Sequence, residues 1–165
     1  MSSSDRRSFL ALLAASPLAA CGFTPAYGPV GPAATLNGQI ALDDPTDKYG
    51  FDLVGRLEER LGRARPGKWR LSYMIDVTRE GLGITSTNAI TRYNVLGTIT
   101  YALHRLDDGS QATAGHVNNF TSYSASGTIV STSASERDAY ERLMRILADQ
   151  IITDLIATSS VWAQP

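Results

Sequence analysis

Apolar and polar residues alternate along two long stretches in the middle of the chain. The first stretch runs from Trp69 to Val77, and its apolar positions are Trp69, Leu71, Tyr73, Ile75 and Val77. The second runs from Thr91 to Leu103, with apolar residues at Tyr93, Val95, Ile99, Tyr101 and Leu103. Side chains of a β-strand point alternately to two faces, so each stretch predicts a strand with one buried and one polar face.

Two further strands are predicted on either side of this pair. Asp107-Asp108-Gly109 predicts a hairpin turn, which is a better account of the two neighbouring acids than a catalytic carboxylate pair. The polar, mixed pattern from Gln111 to Tyr123 after it indicates an edge strand or a strand that faces a partner. A short first strand is predicted from Leu36 to Leu42.

Apolar residues at helical spacing predict two helices. The first spans Thr46 to Leu61, with Leu53, Leu57 and Leu61 on one stripe. The Ser-rich segment from Ser124 to Ser135 predicts a loop, and Ser133 with Glu136 predicts a capping box that starts the second, longer helix. The core stripe of that helix consists of Tyr140, Leu143, Leu147, Ile151 and Leu155.

The order strand, helix, three strands, helix predicts the fold class. It favours an α+β two-layer sandwich, in which two helices cover one face of a four-stranded, mainly antiparallel sheet. The chain has 165 residues, of which 43% are hydrophobic, enough for a single core. We expect this domain to occupy residues 36–165.

Residues 1–20 have the layout of an export signal, and we leave them out of the fold. A polar start with Arg6 and Arg7 precedes an apolar run that begins at Phe9 and is too short to span a bilayer. Arg6 and Arg7 also match a twin-arginine signal, although Asp5 replaces the usual Ser or Thr before the pair. Secretory and twin-arginine export therefore both stay open.

Cys21 is the only cysteine of the chain, so it cannot form an internal disulfide. The segment Leu18-Ala19-Ala20-Cys21 resembles the bacterial lipobox, which predicts cleavage before Cys21 and covalent acyl chains on this residue. Two or more acyl chains hold a protein stably on a membrane. Gly22 in place of Asp favours the outer membrane. Residues 21–35 are rich in Pro and Gly and predict an extended, lipidated tether.

The rest of the composition argues against several classes of function. A formal net charge of -1 gives no sign of a nucleic-acid partner. His104 and His116, on adjacent predicted strands, could be cross-strand neighbours but lack a Cys or Glu to complete a metal site. Ser131, Ser133 and Ser135 lie in no nucleophile-elbow motif. We expect no enzyme activity, no metal and no cofactor other than the acyl chains.

Three features together resemble one known family. They are the segment CGFTPAYG after the lipobox, the order of the elements, and the Arg-Tyr-Asn start of the long strand in ITRYNVLGTITYAL. The chain is similar in these to the LptE family of lipopolysaccharide-assembly lipoproteins. The resemblance implies a periplasm-facing lipoprotein of the outer membrane that plugs the LptD β-barrel, assists its assembly and supports lipopolysaccharide transport to the outer leaflet.

The resemblance leaves direct lipopolysaccharide binding open. Members of the family use basic residues in the loop before the long strand and at the start of the final helix. Here these places read ITSTNAIT and STSAS, and the next basic residues are Arg92 and Arg137. Arg92 is the best candidate to contact a lipid A phosphate or an acid of the barrel wall, and a solvated charge is the other interpretation. The alternative function is a free-standing periplasm-facing adaptor or ligand-binding module.

Overall fold

The computed structural model describes residues 25–29, 31–64, 67–84 and 90–163. In chain order the elements are α1 (Pro32–Leu36), β1 (Ile40–Leu42), α2 (Lys48–Leu61), β2 (Trp69–Ile84), β3 (Ile90–Arg105), β4 (Gln111–Ser124) and α3 (Ile129–Trp162). Arg6, Arg7 and Cys21 lie outside the described residues, so the export signal and the lipidation stay predictions.

The four strands form one open, mixed sheet in the order β1-β2-β3-β4. β1 runs parallel to β2, and the two other pairs are antiparallel. α2 and α3 pack against each other, and α3 lies on β3 and β4. The predicted α+β sandwich is therefore confirmed, with the short helix α1 as an addition.

The core lies between the helices and the sheet, and β2, β3 and β4 turn their odd-numbered side chains toward it. On β3 the buried positions of this face are Val95, Gly97, Ile99, Tyr101 and Leu103. Leu71 on β2 and Leu103 on β3 are cross-strand partners, and both are completely buried. Leu53, Leu57 and Leu61 of α2 meet this layer, as their spacing predicts. The alternation along the chain thus correctly separates the two faces of the sheet.

The ends of α2 follow from local chemistry. The side chain of Asp47 accepts a hydrogen bond from the backbone N–H of Gly50 at 2.7 Å, which caps the start of the helix. At the other end Gly62 has φ +71°, a conformation that glycine adopts without steric cost. The helix therefore begins two residues later than the sequence predicted and ends where predicted.

The start of α3 corrects the sequence analysis, because residues 129–135 are helical and not a loop. Thr128 caps the helix by accepting from the N–H of Ser131 at 3.3 Å. The hydroxyl of Ser135 donates to the carbonyl of Ser131, one turn earlier, at 2.9 Å. The predicted capping box is wrong, since Ser133 lies within the helix and Glu136 forms an ion pair with Arg79 at 2.7 Å.

The described part of the predicted tether is not extended. The N–H of Gly28 bonds to the carbonyl of Pro25 at 2.9 Å, which makes a turn. α1 follows, and Leu36 at its end is completely buried in the core. Apolar burial thus outweighs the extended preference of the Pro and Gly residues, and the predicted first strand is shortened to Ile40–Leu42. In the described ranges, no helix has both the length and the apolar character to cross a membrane.

Candidate partner-binding face

The second face of the sheet is covered by no helix of the described chain. We call it the open face, formed by the even-numbered side chains of β2, β3 and β4. Its polar members include Ser72, Asp76, Thr78, Glu80, Asn94, Thr98, Thr100, His116, Asn118 and Ser122. Water and the polar surface of a partner can form hydrogen bonds with these hydroxyl and amide groups equally well.

Large apolar side chains interrupt the open face at several positions. Leu96 on β3 lies directly opposite Phe120 on β4, so the two side chains are cross-strand neighbours. Phe120 is 61% exposed, and Met74 on β2 is 75% exposed. Water-exposed groups of this size on an otherwise polar face are typical anchors for a partner protein.

Arg92 lies on the open face near the start of β3. Its cross-strand partners are Leu82 on β2 and Ser124 on β4, and its side chain is exposed. No ion pair joins Arg92 to a carboxylate among the described residues. The predicted candidate residue is therefore placed on the face where a partner has access, with its charge available.

The two histidines are not cross-strand neighbours. Thr100 is the partner of His116, so His104 lies four positions further along β3, about 13 Å away. Within the described ranges no group of three or more His, Cys, Asp or Glu side chains is placed to hold a metal ion. The hairpin turn is confirmed, because Asp108 accepts from the N–H of Ser110 at 2.8 Å.

One cluster on the helix face was missed by the sequence analysis. The guanidinium of Arg79 lies 4.9 Å from the ring centre of Tyr93. It also donates to Glu136 of α3 at 2.7 Å and to the hydroxyl of Tyr123 at 3.3 Å. The cluster ties β2, β3 and β4 to α3 near the loop end of the β2–β3 hairpin. An arginine at an odd-numbered position, on the otherwise apolar face of β2, was the sequence signal that could have revealed this cluster.

Comparison with known proteins agrees with this fold. The family model described as "LptE: Lipopolysaccharide-assembly" matches residues 38–155. The segment that contains Cys21 lies outside this match. No curated protein matches the chain in sequence.

Solved structures from three bacteria are similar in fold. A protein from Caulobacter crescentus CB15 has a TM-score of 0.66 at 17% identity, covering 81% of this chain and 98% of its own. The rare lipoprotein B of Shewanella oneidensis gives 0.57 at 14%, covering 76% and 98%. A minor lipoprotein of Acinetobacter baumannii gives 0.54 at 18%, covering 77% and 95%. At these identities the likeness concerns the fold.

Proposed function

The chain belongs to the LptE family of lipopolysaccharide-assembly proteins, and from this premise we propose that it is an outer-membrane lipoprotein that plugs an LptD-like β-barrel. In this role it assists the assembly of the barrel and supports lipopolysaccharide transport to the outer leaflet. The work is done by binding, without a catalytic step. The observation that carries the proposal is the open face, a sheet surface over which the described residues place no covering layer.

The surface chemistry supports a plug better than a membrane-embedded domain. The interior of a large outer-membrane barrel is polar, so a plug needs polar groups on both of its layers. The open face supplies hydroxyl and amide groups. The helix layer supplies exposed ion pairs, among them Lys48 with Asp52 at 2.8 Å and Arg145 with Glu141 at 2.7 Å. A polar, water-filled barrel lumen can solvate both kinds of group.

The anchor is expected to hold the domain close to the membrane. Because the described residues begin at Pro25, only three residues separate them from the predicted lipid at Cys21. The four Cα-to-Cα steps from Cys21 to Pro25 span at most about 14 Å. The body would therefore stay next to the lipid head groups, which suits insertion into a barrel in the same membrane.

Recovery of the partner tests the proposal. We expect tagged protein, extracted from outer membranes in mild detergent, to bring down an LptD-like barrel in equal amount, identified by mass spectrometry. Cys21→Ala removes the acyl chains and with them an anchoring energy of about 0.8 kcal/mol per buried methylene, so any of this variant that stays in the membrane fraction should be recovered bound to the barrel.

Recovery of the wild-type protein alone would contradict the plug. The free-standing lipoprotein adaptor would then be the better account, since it needs the anchor but no barrel. Membrane retention of the Cys21→Ala variant without any bound barrel would contradict the predicted lipid anchor.

Replacement of Arg92 separates its two proposed contacts. If Arg92 meets a lipid A phosphate, Arg92→Ala should weaken lipopolysaccharide binding about tenfold, the value of one charge-assisted hydrogen bond, and leave barrel recovery unchanged. Binding of purified lipopolysaccharide and barrel recovery are measured side by side. Lys68→Ala is the control for the loss of one positive charge, because Lys68 is also exposed and has no ion pair with a described residue. Loss of barrel recovery alone would assign Arg92 to an acid of the barrel wall.

A further inference from the structure

β4 is an edge strand, and its outer side has hydrogen-bonding groups turned away from the sheet. The N–H of Ala125 donates to the carbonyl of Thr91, so odd-numbered residues turn their backbone groups toward β3. The register is regular from Thr113 to Ser124, so the even-numbered residues turn theirs outward. These residues are Ala114, His116, Asn118, Phe120, Ser122 and Ser124.

The half of this edge that contains Phe120 and Ser122 is blocked by the protein's own side chains. The N–H of Phe120 donates to the side-chain oxygen of Asn119 at 2.8 Å. The carbonyl of Ser122 accepts from the guanidinium of Arg142 at 3.3 Å. Side chains that occupy edge groups in this way protect a strand from pairing with another chain. In the other half, Ala114–Asn118, no described side chain bonds to the outward backbone groups.

A groove of about 590 Å³ runs beside the unblocked half, between β4 and α3. Ile146, Gln150 and Asp154 of α3 line it, with His116, Val117 and Asn118 on the strand side. The side-chain oxygen of Gln150 is buried and has no hydrogen-bond partner in the part of the chain that the structure describes. A fifth strand paired with β4 would place every second side chain in this groove.

The groove is acidic at one end. Asp154 has no ion pair with a described cation, and its nearest polar neighbour is the hydroxyl of Tyr101 at 3.5 Å. Burial, followed by the negative charge of Asp154, raises the pKa of Tyr101 to about 12. Tyr101 therefore stays neutral and leaves the carboxylate charge uncompensated. A Lys or Arg side chain, which donates and carries positive charge, satisfies both Asp154 and Gln150.

We propose that an extended segment of a partner polypeptide pairs with Ala114–Asn118 as a fifth strand and places a Lys or Arg side chain beside Asp154. The backbone bonds give the affinity, and the groove selects the side chain. The pairing requires neither the lipid on Cys21 nor a barrel, so it stands apart from the proposed function.

A second copy of this chain fits the edge less well. The segment that would pair with itself is Ala-Gly-His-Val-Asn and contains no Lys or Arg. Two copies related by a two-fold axis would each leave Asp154 without a cation from the paired strand. The charge of the groove therefore favours a foreign segment.

Amide chemical shifts of the full chain, with Cys21→Ala to remove the lipid acceptor, test the pairing. The probe is the peptide Ser-Thr-Val-Lys-Val-Thr-Ser, added to millimolar concentration. We expect perturbed amides confined to Ala114–Asn118 and the facing residues of α3. Asp154→Asn should weaken binding about threefold, as for a partly exposed ion pair. A peptide methylated on the alternate backbone nitrogens that would face β4 should not bind.

Asn118→Pro removes one outward N–H without touching the bonds to β3, and edge strands accept proline. We expect it to abolish peptide binding, while the matched Asn118→Thr variant binds like wild type. Three results would overturn the proposal: no shifts at millimolar peptide, shifts centred elsewhere, or equal binding by the methylated peptide. Concentration-dependent shifts of Ala114–Asn118 without peptide would also overturn it, by assigning the edge to a second copy.

Discussion

Leu147→Ala is expected to lower the free energy of unfolding by about 2–5 kcal/mol, one of the largest effects available in this fold. Leu147 is completely buried at the centre of α3. Its Cδ1 atom lies 2.9 Å from the position that a Cβ on Gly97 would take. The helix and β3 therefore leave no room for a further methyl group between them, and truncation of Leu147 creates a cavity. Chemical denaturation measures the change.

Gly97 provides a direct check on this explanation. Gly97→Ala alone would press a methyl group against Leu147 and Leu143, which costs about 1–3 kcal/mol. In the Leu147→Ala background the same methyl group enters the cavity, so its cost should fall by at least about 0.5 kcal/mol. Strict additivity of the two changes would contradict the contact.

Leu106→Ala is the matched control, with the same chemical change at a half-exposed position in the turn after β3. It should alter the free energy of unfolding by no more than about 0.5 kcal/mol. An equal loss at Leu106 and Leu147 would mean that burial in the helix–sheet interface does not determine the effect.

The strands and α2 could be predicted from the sequence because a single face of each is buried. Alternation from Trp69 to Val77 reports directly which side chains meet the core. The beginning of α3 could not be predicted from the sequence, since residues 129–135 have a Ser-rich composition typical of a loop. Their helix is completed by hydroxyl-to-carbonyl bonds, such as Ser135 to Ser131, and by the contact of Glu136 with Arg79. The second of these joins residues far apart in the chain.

The site was predicted only in part, for a related reason. The polar alternate positions of β3 and β4 indicated an edge strand, a solvated surface or a surface that faces a partner, and the described residues leave that surface uncovered. Arg92 lies on it, as its place in the alternation predicts. The unblocked edge at Ala114–Asn118 depends on which backbone groups Asn119 and Arg142 occupy. Such contacts have no signature in composition or periodicity. The family resemblance is confirmed, while the lipid on Cys21 stays a prediction.

Phe120→Glu is expected to reduce recovery of the barrel partner at least tenfold while leaving the fold intact. Phe120 projects from the open face with most of its surface in water, so the change should cost less than about 1 kcal/mol of stability. In a complex that covers this face, the same carboxylate would be buried beside Leu96 with no cation opposite. Burying an unpaired charge costs several kcal/mol, and about 1.4 kcal/mol is already tenfold in affinity.

Val161→Glu is the control for this experiment. Val161 is 80% exposed near the end of α3, away from the open face, so it adds the same charge to a different surface. Thermal unfolding first establishes that both variants are folded, and barrel recovery from outer membranes is then compared. If Val161→Glu alone reduces recovery, the partner lies on the helix layer. Loss in Phe120→Glu alone would identify the open face as the surface that the barrel wall covers, because an exposed carboxylate disturbs binding only where it becomes buried.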